Sequence, residues 1–91
     1  MGAVPTKEAI IDAIEKGNYL INEVKNIKTI YVKKSFKDKL NYLKKIQKKN
    51  FDEKNISLNK DYINKCISTI NLAYNLFITE KTLKEKGYLE N

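Results

Sequence analysis

Ser35-Phe36-Lys37-Asp38-Lys39-Leu40-Asn41-Tyr42-Leu43-Lys44-Lys45-Ile46-Gln47-Lys48-Lys49 is the stretch on which the fold turns. Its apolar residues recur at steps of three and four. At about 100° per residue, Val32, Phe36, Leu40, Leu43 and Ile46 cover an arc roughly 120° wide. Lys34, Lys37, Lys44, Lys45 and Lys48 gather opposite that arc, with Lys33 and Lys49 at its margins. Lys39 falls on the apolar side, where its methylene stem packs while the ammonium reaches water. This periodicity belongs to a helix and not to a strand, so the stretch predicts an amphipathic helix with a pure basic face. Ser35 followed by Asp38 has the form of a capping box, with Asp in the place of Glu, and sets the expected start at Ser35.

An apolar face of this width has to be covered, and the flanking sequence supplies the cover. Upstream, Ile10, Ala13, Gly17, Leu20, Val24, Ile27 and Tyr31 repeat at steps of three and four, with Ile14 and Ile21 widening the stripe. Thr6 is placed to cap this first helix and Glu8 suits its first turn. Gly17-Asn18 resembles a stop, but the stripe keeps its phase across it, which favours one continuous helix in which Gly17 lets a neighbour approach. Between these two helices, Thr29, Ile30, Tyr31 and Val32 lower helix propensity and predict a turn or a distorted stretch over Asn26–Lys34.

Downstream, Phe51 to Asn59 is polar and turn-like, with Asn55, Ser57 and Asn59 as candidate caps. A third helix then runs from about Lys60 to Lys86, with Ile63, Cys66, Ile67, Ile70, Ala73, Tyr74 and Phe77 as its core stripe. Lys81, Lys84 and Lys86 suit its C-terminal end, and Gly87 suits the position just beyond it. From Ile70 to Ile78 the apolar residues outrun one stripe, so Leu72, Leu76 and Ile78 predict a protein interface, such as that of a homodimer. The expected fold is all-α: a single domain over residues 1–91, built as a small antiparallel three-helix bundle, with four helices if the first breaks at Gly17. A chain of 91 residues has a thin core, which is a further reason to expect a partner or a second copy.

Charge is as unevenly distributed as hydrophobicity. Residues 25–50 hold ten lysines against Asp38 alone, a net of +9, within a chain of net +7. Residues 1–24 are net negative, and residues 51–91 balance. Richness in Lys, Asn and Ile is what AT-rich coding produces, but Glu codons are equally AT-rich, so coding bias does not explain the clustering. A concentrated field of one sign attracts an anionic partner. The candidate contacts are Lys33, Lys34, Lys37, Lys44, Lys45, Lys48 and Lys49. Arg is absent, so any grip on phosphate is by point charges, directed at the backbone and sensitive to salt, with little sequence preference.

Chemistry finds little footing. Without His, the usual general base, zinc ligand and triad partner are missing, and Gly2, Gly17 and Gly87 are too scattered to form a phosphate loop. Glu8, Asp12 and Glu15 share a helix face, an arrangement that the helix dipole favours without any metal. Cys66 is alone, so no intramolecular disulfide forms, and its place on the apolar stripe reads as core. The six tyrosines read as core margins at helical spacing. Met1 to Thr6 fits the N-myristoylation pattern, a short motif with three free positions that carries little weight alone. No apolar run reaches the ~20 residues of a membrane span and no signal sequence opens the chain, so a cytoplasmic protein is expected. The expected function is that of a non-enzymatic interaction module without cofactor or catalytic site. It docks an acidic or apolar partner surface through its lysine-rich helix. The alternative is a nucleic-acid-binding accessory protein that contacts the phosphate backbone.

Overall fold

The computed structural model describes residues 3–24, 33–48 and 53–85, with side chains in the last stretch described from Lys54 to Phe77. Four helices follow one another: α1 (Lys7–Val24), α2 (Lys34–Lys48), α3 (Glu53–Leu58) and α4 (Lys60–Glu85). Helix α1 begins where the sequence places it. The Ala9 N–H donates to Thr6 Oγ1 at 3.1 Å, and the Ile10 N–H donates to the Thr6 carbonyl at 3.1 Å. It runs unbroken through Gly17, with Ile10, Ala13, Ile14, Gly17 and Leu20 buried.

Helix α2 starts one residue before Ser35. The Phe36 and Lys37 N–H groups both donate to the Lys33 carbonyl, at 3.0 and 3.2 Å, so Lys33 and not Ser35 holds the cap position. The helix therefore begins within one residue of the expected start, with the backbone of Lys33 in place of a Ser35 side-chain cap. The remaining pattern is as expected, with Phe36, Leu40, Leu43 and Ile46 buried.

The stretch read as turn-like contains a helix, α3, six residues long. It buries Ile56 against the core. Its end is tied by Asn59, whose Nδ2 donates to the Asn55 carbonyl and to Asn55 Oδ1, each at 3.0 Å, and whose N–H donates to the Asn55 carbonyl. The Asn59 carbonyl then accepts the Ile63 N–H, which opens α4. Asn59 therefore closes one helix with its side chain and begins the next with its backbone. The fourth helix arises here and not from a break at Gly17.

The three long helices run up, down, up. Asn64 Nδ2 donates to the Ala3 carbonyl at 2.8 Å, Lys16 reaches Asn71, and Tyr19 meets Tyr74 edge-to-face at 5.7 Å, so α1 and α4 are parallel. Helix α2 is antiparallel to both, with Gly17 against Leu40 and Tyr42 edge-to-face on Tyr62 at 4.7 Å. A Cβ at Gly17 would lie 2.7 Å from Leu40 Cδ1, inside any permitted contact. The glycine is thus what lets α1 and α2 close on each other. Ile63, Cys66, Ile70 and Phe77 complete the core from α4, with Ile67, Ala73 and Tyr74 packed against it. Val32, Ile27, Tyr31, Lys86 and Gly87, together with the side chains of Lys81 and Lys84, lie outside the described residues.

Candidate anionic-partner interface

Helix α2 buries one face in the bundle and turns the other outward. Lys33, Lys34, Lys37, Lys45 and Lys48 are exposed, and Lys44 is half-buried beside α1. Lys49 lies outside the described residues. Lys39 is half-buried and sits near Cys66 on α4, which is the packed-stem arrangement its position on the apolar side implies. Among the described residues, none of the outward lysines is ion-paired. Lys16 on α1 shows the contrast. Its Nζ is 2.9 Å from Asp12 Oδ2, 3.5 Å from Asn71 Oδ1 and 5.5 Å from the Tyr74 ring centroid, so its charge is spent within the fold.

The geometry of α2 makes its lysines repel one another. Lys33 and Lys37, and Lys44 and Lys48, stand four apart, while Lys34 and Lys37, and Lys45 and Lys48, stand three apart. Each such like-charge pair on a helix surface costs about 0.2–0.5 kcal/mol. The first turn holds no acidic residue, so Lys34 and Lys37 also face the positive end of the helix dipole. Lys45 and Lys48 occupy the last turn, where that dipole favours them.

Between α1 and α2 lies an open groove lined by Ile14 and Asn18 from α1 and by Asn41, Lys44, Lys45, Gln47 and Lys48 from α2. Three lysines and three side-chain amides thus share one furrow. Helix α2 supplies all but Ile14 and Asn18, and the part that α1 adds is not readable from either helix alone. It depends on the register of α1 against α2, which Gly17 and Leu40 set, and no local periodicity reports that register.

The apolar candidates are carried on a different helix. Leu72 and Leu76 are each 63% exposed on α4, one turn apart, on the side away from Ile63 and Ile70. The side chain of Ile78 lies outside the described residues. The structure therefore does not place this apolar pair on the same helix as the lysine face.

Cys66 is buried, as its position on the stripe implies. Burial pushes its thiol above the ordinary range, opposed by a hydrogen bond from Tyr62 and by the charges of Lys39 and Lys65. A raised thiol is the opposite of what a reactive cysteine needs. Tyr19, Tyr42, Tyr62 and Tyr74 sit at the core margin in two edge-to-face pairs. No group of His, Cys, Asp or Glu suited to a metal ion occurs among the described residues, and Asp12 is engaged by Lys16. No helix among the described residues is long and apolar enough to cross a membrane. Compared with family models, curated proteins and solved structures, the chain matches none.

Proposed function

We propose that the protein is a non-enzymatic helical interaction module whose lysine face on α2 docks an acidic protein partner. One observation carries this reading: the exposed lysines of α2 stand in mutually repelling pairs with no ion-paired carboxylate among the described residues. Such a face is a standing cost to the isolated fold, and an anionic partner removes it. Leu72 and Leu76 offer the apolar contact that protein partners use and phosphate chains do not, including contact with a second copy of the chain.

The test is charge reversal at Lys34, Lys37, Lys45 and Lys48, all exposed and outside the core. The quadruple Lys→Glu variant keeps its helical circular dichroism spectrum. In nuclease-treated pull-downs from the native host, wild type retains an acidic protein and the variant loses it. Binding of mixed-sequence duplex DNA decides the rival reading. If nuclease abolishes capture and DNA affinity falls by about 0.9 log units per log of salt for each phosphate neutralised, the phosphate-backbone function takes the place of this one. If the variant keeps the protein partner, the face serves solubility alone.

A further inference from the structure

We infer that the α1–α2 groove is a seat for an extended acidic polypeptide segment, an inference that rests on the acidic-partner reading above and gives it a location. The groove pairs two kinds of group. Lys44, Lys45 and Lys48 supply positive charge, and Asn18, Asn41 and Gln47 supply amides. Each amide offers both a donor and an acceptor, which is what a peptide group presents in return. The lysines select an anionic occupant, and a peptide backbone meets both halves of each amide.

Spacing agrees with this choice. Lys44 and Lys48 are four residues apart on α2, a rise of about 6 Å along the helix axis. Alternate side chains of an extended chain lie about 6.7 Å apart on one face. A segment with acidic residues at every second position therefore presents its carboxylates at nearly the lysine spacing. Its peptide groups are then within the groove that Asn18, Asn41 and Gln47 line. Asn18, Asn41, Gln47, Lys45 and Lys48 are all exposed, so the seat needs no opening of the core.

The probe is a capped seven-residue peptide alternating Glu and Ala, with a Gln-for-Glu peptide and a single-stranded mixed-sequence DNA as comparisons. Binding is followed by nuclear magnetic resonance and calorimetry near physiological salt. The acidic peptide is expected to shift the side-chain NH2 resonances of Asn18, Asn41 and Gln47, and the Gln peptide to leave them unmoved. The variant Asn18→Ala/Asn41→Ala/Gln47→Ala keeps every charge, and the two changes on α2 favour its helix. It is expected to bind the acidic peptide about tenfold or more weakly than wild type. Lys45→Glu/Lys48→Glu is expected to abolish binding, and Lys34→Glu/Lys37→Glu to weaken it much less. If the amide variant binds as wild type while both lysine variants weaken equally, the groove is overturned and the broader basic-face reading stands. If wild type ignores the peptide and binds the DNA, both readings fail together.

Discussion

Gly17 packs directly against the Leu40 side chain, and their coupling is measurable. Replacing Gly17 by Ala improves helix propensity by about 1 kcal/mol. The added Cβ meets the Leu40 side chain, which is only 1% exposed and has little room to withdraw. Overpacking of this kind costs about 1–3 kcal/mol. Gly17→Ala is therefore expected to destabilise the protein by about 1 kcal/mol net in urea unfolding. In a Leu40→Ala background the clash is gone, and the same change is expected to stabilise by up to about 1 kcal/mol. Equal effects in both backgrounds would show that the glycine is not there for Leu40. Cys66 gives the residue-scale prediction in pH. Its thiol is raised in the folded state, so above the ordinary thiol range the unfolded chain ionises first and binds fewer protons than the native one. Stability is full below that range and falls as pH climbs from the ordinary thiol value of about 8.5 toward the raised folded-state value. Cys66→Ala, which cannot ionise, is expected to show a smaller loss across the same interval, measured by urea midpoints at each pH.

At the scale of single helices, α2 is built against itself at one end and with the grain at the other. Lys37 repels Lys33 and Lys34 and sits in the first turn, whereas Lys48 lies in the last turn. Gln matches Lys in helix propensity, so a Lys→Gln change isolates charge. Lys37→Gln is expected to stabilise the fold by roughly 0.5 kcal/mol at low salt, and Lys48→Gln by close to nothing. The difference should fade near ~150 mM salt, where screening shortens to about 8 Å. Equal gains at both ends would mean that the dipole is irrelevant and only the net charge counts. The long stripes of α1, α2 and α4 were legible because each repeats over several turns. Helix α3 was not, since six residues with Ile56 as the one buried side chain among those described hold no period to read. The start of α2 was legible to within a residue, and only the cap differs, with the Lys33 carbonyl taking the first helical N–H groups. The outward lysines and the amides of Asn41 and Gln47 were legible from the wheel, and the part that Ile14 and Asn18 add from α1 was not, because it depends on the folded register.

For the molecule as a whole, the exposed pair on α4 decides how many copies act together. Leu72 and Leu76 are mostly outside the core, so Leu76→Lys is expected to change stability by no more than about 0.5 kcal/mol. If the pair joins two copies, analytical ultracentrifugation shows a concentration-dependent dimer for wild type and a monomer for the variant. A wild type that stays monomeric at high concentration would leave these leucines as ordinary apolar surface. The up-down-up arrangement has a further consequence, for the order in which the fold assembles. Helix α2 meets both α1 and α4 across short connections, but α1 meets α4 across long ones. The bond from Asn64 to Ala3 spans 61 residues of chain, and that from Lys16 to Asn71 spans 55. Contacts this distant in sequence must close a large loop before they return any free energy. The parallel pair is therefore expected to be the last seam to form, so in pulsed hydrogen exchange during refolding amides at the α1–α4 seam should gain protection later than those between α1 and α2.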